Sequence, residues 1–226
     1  MTDVDAVLFD LDDTLCEYRR TTEELIELSF DRVGVEPVFT VDDYHARYGD
    51  FVDVSETIQD LRKQCFAALA DEAGKDPAVG ERVAEVFSGE RDHGNVRPLP
   101  GASAAVERLA DDYRLAIVTN GAPEMQAAKL EALSFTDAFE TVVYAGYDVP
   151  AKPDPAPFYR GLDVLGSAPE QAVHVGNSLE SDVAGAAAAG VRSVWLGNGV
   201  ETPRPAPDYR IESLEELRTP PWEPAR

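Results

Sequence analysis

Apolar and polar positions along the chain fall into three patterns. The first is a short apolar run, Ala6-Val7-Leu8-Phe9, that stops abruptly at Asp10-Leu11-Asp12-Asp13-Thr14; this predicts a buried strand ending in an acidic loop. From about Thr21 to Glu90 the spacing turns helical. Ile58, Leu61, Cys65 and Leu69 share one face, and so do Val79, Val83, Val86 and Phe87. Asp76-Pro77 offers an N-cap followed by proline at the first helical position, and Gly34, Gly49 and Gly74 suit breaks between helices.

The third pattern begins after Arg97-Pro98-Leu99-Pro100-Gly101 and alternates helix with strand. Helices are expected over Ala102–Asp111, Glu124–Leu133, Pro155–Leu165 and Ser181–Ala189. Each precedes a short apolar strand: Leu115–Thr119, Thr141–Ala145, Ala172–Val175 and Ser193–Leu196. A last apolar piece, Tyr209-Arg210-Ile211, leads through Ser213 into Leu214–Leu217, and Pro220-Pro221-Trp222-Glu223-Pro224 closes in irregular structure. Apolar strands separated by amphipathic helices imply an α/β fold, a parallel sheet covered on both faces, into which an all-helical segment is inserted. In such open sheets ligands sit beyond the carboxyl ends of the strands, so the polar residues that terminate the strands are the candidates for chemistry.

Composition narrows the possibilities. At 226 residues the chain can hold one domain with a sizeable insert. No stretch approaches the roughly 18 consecutive apolar residues of a membrane span, and Met1-Thr2-Asp3-Val4-Asp5 lacks the features of a signal peptide. A cytoplasmic protein is expected, with Cys16 and Cys65 as free thiols. The formal net charge of -23, from 43 acidic against 20 basic residues, leaves no positive patch for nucleic acid. Lys63, Lys75, Lys129 and Lys152 are the only lysines. The acids are spread along the whole chain, which favours adaptation to a salt-rich cytoplasm over an acidic tail that binds a partner.

Four strand ends carry suggestive groups: Asp10 and Asp12 after the first, Thr119-Asn120 after the second, Lys152 in the loop after the third, and Gly176-Asn177-Ser178 with Asp182 after the fourth. A carboxylate at Asp10 can attack phosphorus and divide one displacement into two. Asp12 can protonate the leaving oxygen and later take a proton from water. Thr119, Asn120 and Lys152 would hold and neutralise the phosphoryl oxygens, and Asp10 with Asp182 suits magnesium, which prefers oxygen ligands.

These residues resemble the four motifs of the haloacid dehalogenase-like superfamily: Asp10-Leu11-Asp12-Asp13-Thr14, Thr119-Asn120-Gly121, Lys152-Pro153-Asp154-Pro155, and Gly176-Asn177 through Asp182. The resemblance implies a Rossmann-like core, residues 1–16 and 97–226, with a helical cap of the C1 type over 17–96. It also implies a Mg2+-dependent phosphatase acting on a small phosphorylated metabolite through an aspartyl-phosphate, with the backbone carbonyl of Asp12 joining Asp10 and Asp182 on the metal. The family usually places an acidic residue where this chain has Asn177. An amide there can still ligate, but magnesium binding weaker than usual is expected.

Among other candidates, His174 lies in an apolar strand and reads as a hydrogen-bonded core residue. Tyr18, Arg19 and Arg20 follow the first motif where the chain enters the insert and are candidates to meet substrate, ahead of Arg47, Tyr48 and Arg62. A carbon–halogen hydrolase would use Asp10 but needs no proton donor at Asp12. A phosphosugar mutase keeps the same core motifs, and a binding protein on the same fold is the remaining alternative. The assembly expected is a monomer or a homodimer.

Overall fold

The computed structural model describes residues 3–52, 54–197 and 203–223. The chain opens with β1 (Ala6–Phe9) and β2 (Cys16–Tyr18), then runs through four helices: α1 (Thr22–Val33), α2 (Val41–Tyr48), α3 (Ile58–Glu72) and α4 (Pro77–Glu90). It returns with β3 (Val96–Pro98), α5 (Ala102–Ala110), β4 (Arg114–Asn120), α6 (Pro123–Glu131) and β5 (Thr141–Ala145). The remainder is α7 (Ala156–Leu165), β6 (Ala172–Gly176), α8 (Ala184–Ala189), β7 (Arg192–Leu196) and β8 (Tyr209–Ile211). Two compact units result: Met1–Tyr18 with His93–Arg226, and Arg19–Asp92.

The first unit is built on a six-stranded sheet in the order β5-β4-β1-β6-β7-β8, with every pair parallel. β1 sits inside, and its alternate side chains feed two cores, as a strand buried on both faces must. Val7 and Phe9 pack with Ala105, Val106 and Leu109 of α5 and Leu130 of α6. Ala6 and Leu8 pack with Phe158 and Leu162 of α7 and Ala186 and Ala189 of α8. This is the parallel α/β sheet expected from the alternating pattern, in the Rossmann-like form that the resemblance implies. From β1 the chain moves to β4 and β5 on one side, then crosses to β6, β7 and β8 on the other, so strand order reverses around β1.

Two features depart from the expected elements. β2 and β3 form a separate antiparallel pair, Cys16 opposite Pro98 and Tyr18 opposite Val96, at the two points where the chain leaves and re-enters this unit. The segment expected as a helix from Ser181 begins earlier, as a π-turn over Leu179–Val183 that runs into α8. At the C-terminal end Ser213 caps a 3₁₀ turn, Leu214–Arg218, and Trp222 packs against the Tyr113 and Tyr209 rings; Pro224 lies outside the described residues.

The second unit is helical. Thr21 with Glu24 and Thr40 with Asp43 form capping boxes at the starts of α1 and α2, which satisfy backbone N–H groups the helix leaves unpaired. Asp76 accepts from Ala78 N and Pro77 occupies the first position of α4, as the sequence predicts. Gly34 and Gly74 end their helices at positive φ, whereas Gly49 keeps φ -60 and carries α2 into a short 3₁₀ turn. The core joins Phe30, Phe39, Tyr44, Phe66 and Phe87, whose edge-to-face ring pairs contribute about 0.5–1.5 kcal/mol each beyond burial. Among the described residues no helix is long and apolar enough to cross a membrane.

Candidate active site

The parallel register decides which groups meet. Phe9 lies opposite Ile117 on one side and Val175 on the other, so the residues just beyond β1, β4 and β6 converge at one end of the sheet. Asp10 N extends the ladder by donating to Val175 O at 2.9 Å. The chain then folds over itself: Leu11 O accepts from Leu15 N at 2.9 Å and from Cys16 N at 3.1 Å. Asp13 adopts φ 54, a left-handed conformation that aspartate tolerates better than most residues.

Lys152 is the centre of the cluster. Its Nζ donates to Asp10 Oδ1 at 2.8 Å, Asp182 Oδ1 at 2.7 Å and Val118 O at 2.8 Å, using all three ammonium hydrogens. The side chain is buried, and its backbone is held from β4: Asn120 Nδ2 donates to Lys152 O at 3.0 Å and Lys152 N donates to Asn120 Oδ1 at 2.8 Å. The Asn120 carboxamide, expected at the phosphoryl oxygens, thus has both ends engaged on the lysine's main chain.

Asp182 is drawn inward by the π-turn. Its Oδ1 also lies 3.0 Å from His174 Nε2, and its Oδ2 accepts from Ser178 N at 3.0 Å. The approach requires Gly176, because a Cβ there would lie 2.3 Å from Asp182 Cγ. His174 is a buried, hydrogen-bonded core residue whose ring meets the Phe158 ring edge-on at 4.9 Å. Asn177 turns its Oδ1 to the Thr14 hydroxyl at 3.3 Å, and its main-chain carbonyl accepts from Trp195 Nε1 at 2.8 Å.

One ammonium therefore serves two buried carboxylates, and the two do not share it equally. Burial pushes Asp182 up, but the His174 hydrogen bond and the Lys152 charge outweigh it and hold the group below the ordinary carboxylate range. For Asp10 burial prevails and pushes it up to about 7 against the pull of Lys152, with Asp182 and Asp12 adding to the rise. Burial also opposes charge on Lys152, yet Asp10 and Asp182 lift its pKa above the usual value. Burial lowers His174, so the imidazole is neutral at physiological pH.

Asp12 points to a second group of residues. Its Oδ1 accepts from Lys129 Nζ at 2.5 Å and its Oδ2 from Gln126 Nε2 at 2.8 Å; the same Gln126 nitrogen donates to Thr119 Oγ1 at 2.6 Å. Tyr18 belongs here too. Its ring lies 4.9 Å from Lys129 Nζ, and its hydroxyl lies 2.7 Å from His93 Nδ1. Gln126 and Lys129 escaped the reading of the sequence. The available signal was a lysine in a chain with four of them, one helical turn beyond a glutamine and just past the Thr119-Asn120-Gly121 motif.

Arg19 and Arg20 are exposed in the helical unit, where Arg20 faces Glu90 at 3.5 Å. In the same unit Arg47 pairs with Asp50 and Glu72, and Arg62 is buried against the Phe87 ring.

The donors around Asp10 suit a hard divalent ion. Among the described residues no three His, Cys, Asp or Glu side chains converge as metal ligands, but the oxygens of Asp10 and Asn177 meet at one hydroxyl, that of Thr14. The donor at Asp10 Oδ2 is this hydroxyl, at 3.4 Å. Two buried carboxylates against one lysine leave negative charge uncompensated, and oxygen donors of this kind are those magnesium prefers.

Comparison with known proteins agrees with this geometry. A sequence model of the family described as haloacid dehalogenase-like hydrolase matches residues 4–190. Phosphoserine phosphatase of Thermus thermophilus is 36% identical over 159 residues, which cover 70% of this chain and 64% of that protein. Human N-acylneuraminate-9-phosphatase is 30% identical over 95% of this chain and 92% of its own length. Among solved structures, the putative HAD-hydrolase YfnB from Bacillus subtilis, bound to magnesium, superposes with a TM-score of 0.72 at 25% identity, covering 96% of this chain and 97% of that one. The chain belongs to the haloacid dehalogenase-like hydrolases.

Proposed function

We propose that this protein hydrolyses a small phosphate monoester, using Mg2+ and passing through a phosphoryl group bonded to Asp10. The observation that carries the reading is the pairing of a buried carboxylate, Asp10, held 2.8 Å from Lys152, with a second aspartate two residues on that has its own donors. In this reading the first is the nucleophile and the second the proton carrier.

In the first half-reaction an Asp10 carboxylate oxygen attacks phosphorus. The bond from phosphorus to the ester oxygen breaks, and Asp12 gives that oxygen a proton so that it leaves as an alcohol. In the second half-reaction Asp12 takes a proton from water, the water oxygen attacks phosphorus, and the Asp10–phosphorus bond breaks to release inorganic phosphate. Lys152 neutralises Asp10 as the anionic ester approaches, and its positive charge, with the Thr119 hydroxyl, offsets the charge that develops on the phosphoryl oxygens. Asn120 acts through Lys152 by fixing the backbone from which the lysine extends.

Asp10, the Asp12 main-chain carbonyl, Asn177 and the remaining lone pair of Asp182 Oδ2 would hold the magnesium ion. A bound ion would supply positive charge to offset the second buried carboxylate and the phosphoryl oxygens. The relatives named for phosphoserine and N-acylneuraminate 9-phosphate support a small, polar phosphate ester as substrate. Asp12 disfavours carbon–halogen hydrolysis, since a halide leaves without a proton.

The test is phosphate release from a panel of sugar, nucleoside, amino-acid and short-chain alkyl phosphates, with Mg2+ in about molar salt. The expected result is turnover of one class, abolished in Asp10→Asn. Isomerised sugar phosphates without inorganic phosphate, or turnover that survives Asp10→Asn, would contradict it.

A further inference from the structure

Lys129 and Gln126 lie three residues apart on α6, and therefore on one face of the helix. Both are buried, and both spend their side chains on the same carboxylate. Each oxygen of Asp12 has its own donor, so the group is pinned at two points. Gln126 Nε2 carries two hydrogens; one goes to Asp12 Oδ2 and the other to Thr119 Oγ1. The threonine oxygen is thereby made an acceptor, and its own proton is directed elsewhere. Room for this amide comes from Gly121, where a Cβ would lie 2.8 Å from Gln126 Nε2. The Lys129 side chain is 4% exposed and that of Asp12 is 39% exposed, so the cation stands behind the carboxylate.

We propose that Lys129 and Gln126 are positioning residues. Together they hold the Asp12 carboxylate in the orientation from which it exchanges a proton with the leaving oxygen, and Gln126 also turns the Thr119 hydroxyl proton toward the phosphoryl group. The proposal rests on the acid–base role given to Asp12 above. Its consequence is a dependence on the leaving group. An alkyl ester oxygen must take the Asp12 proton as its bond to phosphorus breaks, whereas p-nitrophenolate leaves as a stable anion and needs none.

The experiment compares kcat/KM for the best alkyl phosphate of the panel and for p-nitrophenyl phosphate, in folded variants checked by circular dichroism. This ratio reports the steps up to phosphoryl transfer, before the water step that both substrates share. General acid catalysis contributes about 10²–10⁴-fold. Lys129→Met, which keeps the length of the side chain, is expected to lose about 10–100-fold on the alkyl ester and less than about threefold on the aryl ester, with Lys129→Arg restoring part of the loss. Gln126→Leu should show the same split and also weaker inhibition by inorganic phosphate, through Thr119. Equal losses on both esters, or no loss on either, would overturn the proposal. Should Lys129→Met fail to fold, Lys129→Gln and Gln126→Leu decide by the same criterion. Asp12→Asn is measured alongside. A split there but not at Lys129 sinks this proposal alone, and no split at Asp12 sinks the acid–base reading and this proposal with it.

Discussion

Asp10 gives the clearest consequence at the scale of single residues. Its carboxyl, raised by burial to about 7, binds a proton more readily in the folded chain than in the unfolded one. Between the ordinary aspartate value and about 7 the native state therefore holds the extra proton, and this group's contribution to stability falls as the pH rises through that window. Asp182 and His174 work the other way. Asp182, held low, adds stability that is lost as pH falls through its folded value. His174, also held low, withdraws stability as pH falls below its unfolded value. Removing the Asp10 charge isolates the first effect. In metal-free buffer Asp10→Asn should melt above the wild type at about pH 8, with the gap shrinking toward about pH 4–5. Thermal melts across that range check it; a variant less stable at the higher pH, or a gap that does not change, would contradict it.

At the scale of elements, what the sequence made legible and what it did not have separate causes. The inner strands of the parallel sheet were visible because they are buried on both faces and so read as apolar runs between turns. Asp10 and Thr119 were visible because they stand at the ends of such runs, and Lys152 and Asp182 because they lie in the loop and the turn that follow them. The π-turn at Leu179–Val183 was not, since it differs from an α-helix by one residue of hydrogen-bond register and leaves the apolar spacing nearly unchanged. That turn draws Asp182 toward Lys152 and His174. The β2–β3 pair was missed because three-residue strands, one of them ending in proline, carry almost no period. Asn120 had the right residue type in the right motif, but what it bonds to depends on the loop carrying Lys152, 32 residues away. Gln126 and Lys129 lay on a helix whose inward face could have been only packing, and their partner Asp12 is more than a hundred residues distant.

At the scale of the whole molecule, the charge is distributed in two ways. Of four lysines, Lys129 and Lys152 are buried against aspartates whose charges they offset, so the net charge of -23 is carried almost entirely by the rest of the chain. Self-repulsion of such a surface is screened over about 10 Å at 0.1 M salt and about 3 Å at 1 M, whereas the buried pairs are screened far less. The melting temperature should therefore climb as KCl is raised from about 0.1 M to about 2 M, with the site intact throughout. A flat or falling melting temperature would contradict adaptation to a salt-rich medium.

The most direct test of the central claim is to quench the enzyme in acid during turnover of its best phosphate ester and weigh the peptide that contains Asp10. A fraction of that peptide is expected to be heavier by one phosphoryl group, with fragmentation placing the group on Asp10, and none in Asp10→Asn. A phosphoryl group found on any other residue, or turnover with that peptide never modified, would contradict it.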